Sequence, residues 1–436
     1  MRSGKLRVAV IGAGAAGLCA ARHVLARGGS FSPPTVFELS ERVGGTWVYE
    51  ERVGKDQRGR TVHSSMYRDL RTNIPKEVMA FPDFPFEKRL PSFVHHSEVR
   101  RYLEQYCQQY RLREHIQFGT SVESVKPVAT EKGWRGLAWD VTTSDVTGTK
   151  DTTTERFDAV MVCNGHFFDP YIPPIPGLEN FKGTLMHSHD YRCPEPFAGQ
   201  SVLLLGAGLS GLDIAQELSA VTRPVTLSHS QPPLRSPLPR GMLEAPGVQR
   251  VRGDGALELG DGSLVRPDVF MFCTGYKFTF PFLEPGELGL QLRSHMVSPL
   301  YKHLLHTAFP SLSIVGLCRA ICPFPHFHCQ TQFALSVLDG SFTLPSREQM
   351  DREVDTEIRR LLDSGVPLRH VLKLDAEQWD YNDHLAALGN FPALPPYWRS
   401  LYQANKEFRA TDLMNYKRYS YQVLSDTDWS VERHPH

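Results

Sequence analysis

No stretch of the 436-residue chain offers the roughly 18 consecutive apolar residues that a membrane-spanning helix needs. Residues 426–436 are polar and make no tail anchor. At the N-terminus only the short run 6–11 precedes a glycine-rich turn, too little for the apolar part and cleavage site of a signal peptide. Neither charge is in excess. The 48 Lys and Arg balance 48 Asp and Glu, which excludes a nucleic-acid binder that relies on a basic surface. Cysteine is scarce: eight residues with no C-x-x-C pair exclude a disulfide scaffold, and a reduced, cytoplasmic protein is expected. Low complexity is absent too, since 34 Gly and 32 Pro suffice for many structured loops but not for a biased chain. With 41% apolar and 22% charged residues the chain is globular, and its length suggests two domains.

What is present starts at once. Residues 6–11, LRVAVI, are apolar except for Arg7, and Gly12-Ala-Gly14-Ala-Ala16-Gly17 and a helix-forming LCAARHVLA follow. Strand, G-x-G-x-x-G and helix in that order form a dinucleotide-binding fingerprint. Gly12 permits the tight turn, Gly14 lets a pyrophosphate approach, and Gly17 lets helix and strand pack closely. The first-turn amides, Ala16 among them, face the phosphates. A second strand, 35–38, ends in Glu38, placed to accept from ribose hydroxyls. The insertion GGSFSPP at 28–34 accounts for its long spacing from Gly12. Gly44-Gly45-Thr46-Trp47 come next, and a glycine pair beside the acid suggests a long ligand, FAD rather than NAD.

The same device recurs at Gly206-Ala-Gly208-Leu-Ser210-Gly211, after VLLL and before LDIAQEL. Two fingerprints imply two dinucleotides, a hydride donor feeding a flavin. The strand 224–230, PVTLSHS, has no acid where NAD would require one, so a 2′-phosphate is not repelled. Ser228 and His229 are placed to hydrogen-bond that phosphate, with Arg235 or Arg240 in loop reach, and NADPH is expected. Strand endings Cys163-Asn-Gly-His166 and Cys273-Thr-Gly-Tyr276, both with proline-rich flanks, mark two crossings between domains. The expected fold is therefore α/β, with two Rossmann-like dinucleotide-binding domains. The NADPH domain, 169–277, is inserted into an FAD domain of 1–168 and 278–436 that ends in a helical segment.

Ser97 is expected to cap a helix running to about residue 112, with Val99, Tyr102, Leu103, Tyr106, Cys107 and Tyr110 as its core stripe. Residues 142–154 read as an exposed hairpin tip. Cys318, Cys322, His326, His328 and Cys329 crowd together, but their spacing matches no closed zinc site, and no metal is expected. The Pro-Phe-Pro run at 323–325 should turn into a helix whose N-terminus would face a flavin's carbonyl edge, with Gln330 expected among the cofactor-binding residues.

Residues 181–191, FKGTLMHSHDY, reproduce F-x-G-x-x-x-H-x-x-x-[YF] between the two fingerprints. Together with these, and with 70–79, LRTNIPKEVM, the chain resembles the flavin-containing monooxygenases in their shorter form without a hydrophobic tail. The resemblance runs over nearly the whole chain, with every motif in family order. It implies FAD at Gly12, Gly14, Gly17, Glu38 and Trp47, NADPH at Gly206, Gly208 and Gly211, and Asn73 beside the flavin's reactive edge and the nicotinamide. It also implies a C4a-hydroperoxyflavin that oxygenates soft nucleophiles to S- or N-oxides. Small sulfides or amines and O2 are then the partners, without nucleic acid or membrane; a homodimer is left open. Two departures matter. Ser230 stands where the family often has arginine, which weakens the preference for NADPH. Tyr191-Arg192 replaces the Trp-Pro or Trp-Asp usual in the related Baeyer–Villiger monooxygenases, which counts against ketone insertion. A disulfide reductase is disfavoured by the missing C-x-x-C, and a non-catalytic redox-sensing flavoprotein by the intact motif between the fingerprints.

Overall fold

All four side chains of β1 (Val8–Ile11) are buried, as an apolar run covered on both faces should be. After α1 (Ala15–Ala26), β2 (Thr35–Phe37) lies parallel to β1 with Val36 opposite Val10. The computed structural model describes residues 4–56, 59–147, 152–222, 224–293 and 295–433. The short α2 (Lys76–Met79), α3 (His96–Gln109) and β3 (Ile116–Gln117) lead into an antiparallel sheet of β4 (Thr120–Trp134), β5 (Leu137–Asp145) and β6 (Thr153–Phe157). β7 (Ala159–Val162) then returns to pair with β1 on the side away from β2. Alternation along β1 divides its surroundings. Val8 and Val10 share a core with α1 and α3, whereas Ala9 and Ile11 face Trp139, Val141 and Phe157 of the antiparallel sheet.

The second fingerprint sits in a unit built like the first. β8 (Thr184–His187), β9 (Val202–Leu205), α4 (Leu209–Ser219), β10 (Val225–His229) and β11 (Met242–Pro246) come first. The antiparallel β12 (Val248–Val251), β13 (Leu257–Leu259) and β14 (Leu264–Val265) precede β15 (Val269–Phe272). The five parallel strands run β11-β10-β9-β15-β8, drawn wholly from residues 184–272. Val202 and Leu204 pack on Ile214, Ala215 and Leu218 of α4, while Leu203 packs on Leu257 and Leu259 of the small antiparallel sheet. Each fingerprint strand thus has a helix on one face of its sheet and a three-stranded antiparallel sheet on the other.

The chain then returns through α5 (Pro285–Leu288), β16 (Gln291–Arg293) and β17 (Met296–Ser298). β18 (Leu300–Tyr301), β19 (Leu305–His306) and β20 (Leu312–Ile314) complete a seven-stranded sheet in the order β18-β19-β20-β7-β1-β2-β3. α6 (Pro323–Leu338) lies on α1, and α7 (Arg347–Asp363), α8 (Gln378–Gly389) and α9 (Tyr397–Thr411) follow. The hairpin of β21 (Tyr419–Val423) and β22 (Trp429–Arg433) is the last regular structure. Among the described residues no helix is long and apolar enough to cross a membrane.

Several local expectations shift. His95, not Ser97, caps α3: its ring accepts from the Ser97 N–H, so the serine lies inside the first turn. The stripe itself packs as expected, with Val99, Tyr102, Leu103, Tyr106 and Cys107 buried. Asp158 divides β6 from β7, and its carboxylate accepts from the Arg7 N–H at 2.9 Å. The hairpin tip is shorter than 142–154, because β5 runs to Asp145 and β6 starts at Thr153; residues 148–151 lie outside the described residues. β4 is an edge strand and accommodates Pro127, whose missing donor costs nothing there. α6 starts at Pro323, since prolines in a helix's first turn give up amides that have no partner there.

Candidate functional site

Both fingerprint turns are built from the same three backbone constraints. Gly12 and Gly206 have φ of +104° and +115°, and a Cβ on either would lie 2.6 Å from the carbonyl oxygen of Cys163 or Cys273. A Cβ on Gly17 would meet the Gly12 oxygen at 1.8 Å, and one on Gly211 the Gly206 oxygen at 2.0 Å. Only glycine fits at these four positions. Gly14 and Gly208 are the N-caps of α1 and α4, and neither helix has a side-chain cap. The first backbone bonds run from Leu18 to Gly14 and from Leu212 to Gly208. The N–H groups of Ala15, Ala16 and Gly17, and of Leu209, Ser210 and Gly211, therefore have no intrahelical acceptor. A Cβ on Gly208 would meet nothing within 4 Å, so this helix start is open to a ligand. Two uncapped helix N-termini over glycine turns offer free donors of the kind that suit phosphate oxygens.

Gly45 lies against the first turn: with φ +54°, a Cβ there would be 2.9 Å from Gly14 Cα. The Gly44 N–H donates to Ala13 at 3.1 Å, and Gly45–Trp47 form a single 3-10 turn. Trp47 packs partly against the core, and the Thr46 hydroxyl is 3.4 Å from that of Ser65. Glu38 is buried at the end of β2; it accepts from the Ala13 N–H at 2.7 Å and from the Ser40 N–H and hydroxyl at 2.8 and 2.7 Å. These bonds fasten the acid to the glycine turn beside which a ribose would lie.

The second unit differs where its strand ends. The Ser228 hydroxyl is fully buried and donates to the Pro246 carbonyl at 2.7 Å. His229 accepts from the Gln231 N–H at 3.2 Å, and its Nε2 is 3.0 Å from Glu244 Oε1. Glu244 also accepts from the Leu234 N–H at 2.9 Å. Parallel pairing sets Glu244 opposite Leu227 and so brings an acid to the end of β10, which the strand's own sequence lacks. Arg235 turns away to Glu407. The linear reading missed Glu244 because nothing local ties it to His229.

The two crossings run side by side: Tyr171 donates to Gly275, Lys277 to Asp169, and the Asn164 amide to Thr279 at 3.0 Å. The motif at 181–191 fastens this junction. His187 Nε2 is 3.1 Å from the Gly275 carbonyl, and Tyr191, fully buried, donates to Glu217 of α4 at 2.7 Å. His63 stacks on Phe168 at 5.0 Å, and the Tyr276 ring lies against His187 and His189. Burial pushes His63 and His187 down to about 4, so both are neutral at pH 7.

Asn73 lies against α9. Its carbonyl accepts from the Asn405 amide at 3.2 Å and from Arg409 at 3.5 Å, while its side-chain amide, half-buried, has no partner among the described residues. Gln330 is fully buried well inside α6. It accepts from the Gly316 N–H and donates to the Tyr381 hydroxyl, both at 2.8 Å, so its amide ties α6 to α8. The Cys318–Cys329 stretch does not gather into one cluster. Instead His328 meets Cys19 and His23 of α1, with ligand atoms within 4.8 Å of one another. His23 Nε2 is 3.1 Å from His328 Nδ1, and Arg22 is 3.0 Å from His23 Nδ1. A guanidinium only donates, so Nδ1 is the acceptor and Nε2 carries the proton that a metal would have to displace. Gln332 Nε2 lies 2.8 Å from His328 Nε2 and extends the contact along α6.

The model of the flavin-binding monooxygenase-like proteins matches residues 5–233 and 246–422. The chain belongs to this family. Among its members the chain is similar to a flavin-containing monooxygenase of Arabidopsis thaliana, FMO GS-OX-like 4, 38% identical over 87% of this chain and 86% of that one. It is also similar to senecionine N-oxygenase of Tyria jacobaeae, 32% identical over 98% of this chain and 92% of that one. In structure this monooxygenase is similar to S-allyl-L-cysteine S-oxygenase of Allium sativum, with TM-score 0.86, 33% identity and 95% of both chains covered.

Proposed function

We propose that this flavin monooxygenase holds FAD on the first glycine turn and NADPH on the second, and inserts one oxygen atom of O2 into a soft sulfur or nitrogen of a small substrate. In this reading residues 1–168 and 278–436 form the FAD unit and 169–277 the NADPH unit. The observation that carries it is the pair of uncapped helix N-termini at Gly14 and Gly208, each over a turn where only glycine fits. The residues present suit the two groups. First-turn amides offer donors to each pyrophosphate, and Glu38, fixed beside the first turn, presents a carboxylate to a ribose. Gly45, Thr46 and Trp47 would line the first ligand along its length. Bound flavin would supply hydride acceptance and oxygen activation, chemistry that no side chain offers. The chain's share is placement and exclusion of water. Asn73, with an unpartnered amide, would donate and accept at the reacting edge.

No general acid or base of shifted pKa is needed for attack by a thioether or amine. The second coenzyme's 2′-phosphate would meet His229 favourably and Glu244 unfavourably, so NADPH is preferred only modestly over NADH. The test is direct. Purified protein, loaded with FAD, should consume NADPH and O2 faster with a thioether or tertiary amine and yield the S- or N-oxide. Stoichiometric hydrogen peroxide with no oxide from a broad panel of sulfides and amines would overturn the oxygenase reading.

A further inference from the structure

Three parts of the molecule meet at one ammonium group. Lys417 Nζ lies 2.6 and 2.8 Å from the two carboxylate oxygens of Asp213, and it donates to the Arg71 carbonyl at 3.3 Å. The Tyr67 hydroxyl donates to the same carboxylate at 2.5 Å. Both charged side chains are only 18% exposed. Asp213 stands on α4, two residues beyond Gly211; Tyr67 and Arg71 belong to the segment that carries Asn73; Lys417 follows α9.

The same C-terminal stretch grips both units elsewhere. Asn405 and Arg409 hold the Asn73 carbonyl from one side. Glu407 pairs with Arg235, Leu413 accepts from Gln216 and donates to Ser236 at 2.9 Å, all on the unit that carries the second fingerprint. Asn73 is thus positioned by groups that are themselves anchored on α4 and on the loop after β10. A largely buried carboxylate needs its countercharge, so α4 cannot move against segment 67–73 without either carrying Lys417 along or breaking the pair.

We propose that the Asp213–Lys417 pair, with Tyr67, is a positioning latch that holds Asn73 in register with the second nucleotide site, so that oxygen is passed to substrate and not lost as hydrogen peroxide. The proposal rests on the function proposed above. Asp213, Tyr67 and Lys417 act through Asn73; none is assigned contact with a reacting atom.

The test uses the full-length holoenzyme with Tyr67→Phe, Asp213→Asn and the exchange Asp213→Lys with Lys417→Asp. FAD content, anaerobic flavin reduction at saturating NADPH, and oxide formed per NADPH consumed are measured for each. The latch predicts full FAD content and an unchanged reduction rate, with a severalfold smaller oxide share and a matching rise in hydrogen peroxide. The exchanged pair should recover more of the oxide share than Asp213→Asn. A purely structural brace would lower the melting temperature and leave the oxide share alone. Should Asp213→Asn not fold, Tyr67→Phe decides, since it removes the bond that ties segment 67–73 to the Asp213 carboxylate and so opens the latch at one point. Wild-type oxide share in Tyr67→Phe with its FAD retained overturns the latch. Wild-type protein that takes no hydride from NADPH would instead overturn the underlying function.

Discussion

The His229 ring stands between the Gln231 amide and the Glu244 carboxylate, so the end of β10 presents an imidazole and an acid together. An acid near a coenzyme phosphate repels it by about 1 kcal/mol at several ångströms in a solvated site. Glu244→Gln is expected to shift the ratio of kcat/KM for NADPH over NADH upward about fivefold. An unchanged ratio in steady-state assays would remove Glu244 from the coenzyme site. At Asn73 the carbonyl is held by α9 while the amide has no partner among the described residues, so in the proposed reading anchoring and chemistry fall to different halves of the residue. Asn73→Ser keeps the carbonyl and removes the amide. Loss of one buried hydrogen bond, about 1–3 kcal/mol, should cut oxide yield relative to hydrogen peroxide by about ten- to a hundredfold. FAD content should stay at the wild-type level. Wild-type yield would make Asn73 a turn residue only.

On the scale of elements, α4 carries more than a fingerprint. Its outward face offers Asp213 to Lys417 and Tyr67, and one turn later Glu217 to Tyr191. Burial raises the Glu217 carboxyl from its ordinary 4.5 to about 7. The folded chain therefore keeps a proton that the unfolded chain has lost, and stability falls as pH rises from 4.5 through 7. Glu217→Gln should remove this fall: its advantage in melting temperature over the wild type grows across that window and levels off above it. A constant difference from pH 4.5 to 8 would show that Glu217 does not titrate with folding.

Across the whole molecule the histidines act in the opposite sense. Burial is the first cause that holds His63, His166, His187 and His306 down to about 4, and His326 to about 3. Unfolding frees them to titrate near 6.5, so the unfolded chain binds more protons and stability is lost as pH falls from 6.5 through 4. His63, His166 and His187 cluster near the two crossings, where His187 also fastens the Gly275 carbonyl. Melting temperature should peak between about pH 6 and 7 and drop steeply on the acid side. A flat profile between pH 5 and 6.5 in a calorimeter would contradict these neutral, buried rings.

The fingerprints, the strands that feed them and the proline-flanked crossings could be read directly, because each constraint is local. A positive φ at Gly12, and a Cβ on Gly17 that would strike the Gly12 oxygen, concern atoms a few residues apart, so glycine spacing records them. The register of Glu244 beside His229, the relay of His23 and His328 across 305 residues, and the pairing of Asp213 with Lys417 across 204 left no such trace. Those contacts come from strand register and helix packing, in which any suitably charged or polar side chain at the meeting point would serve. Sequence spacing determined where the two nucleotide turns lie. Tertiary packing decided what stands around them, since a long-range contact imposes no period on the chain that makes it.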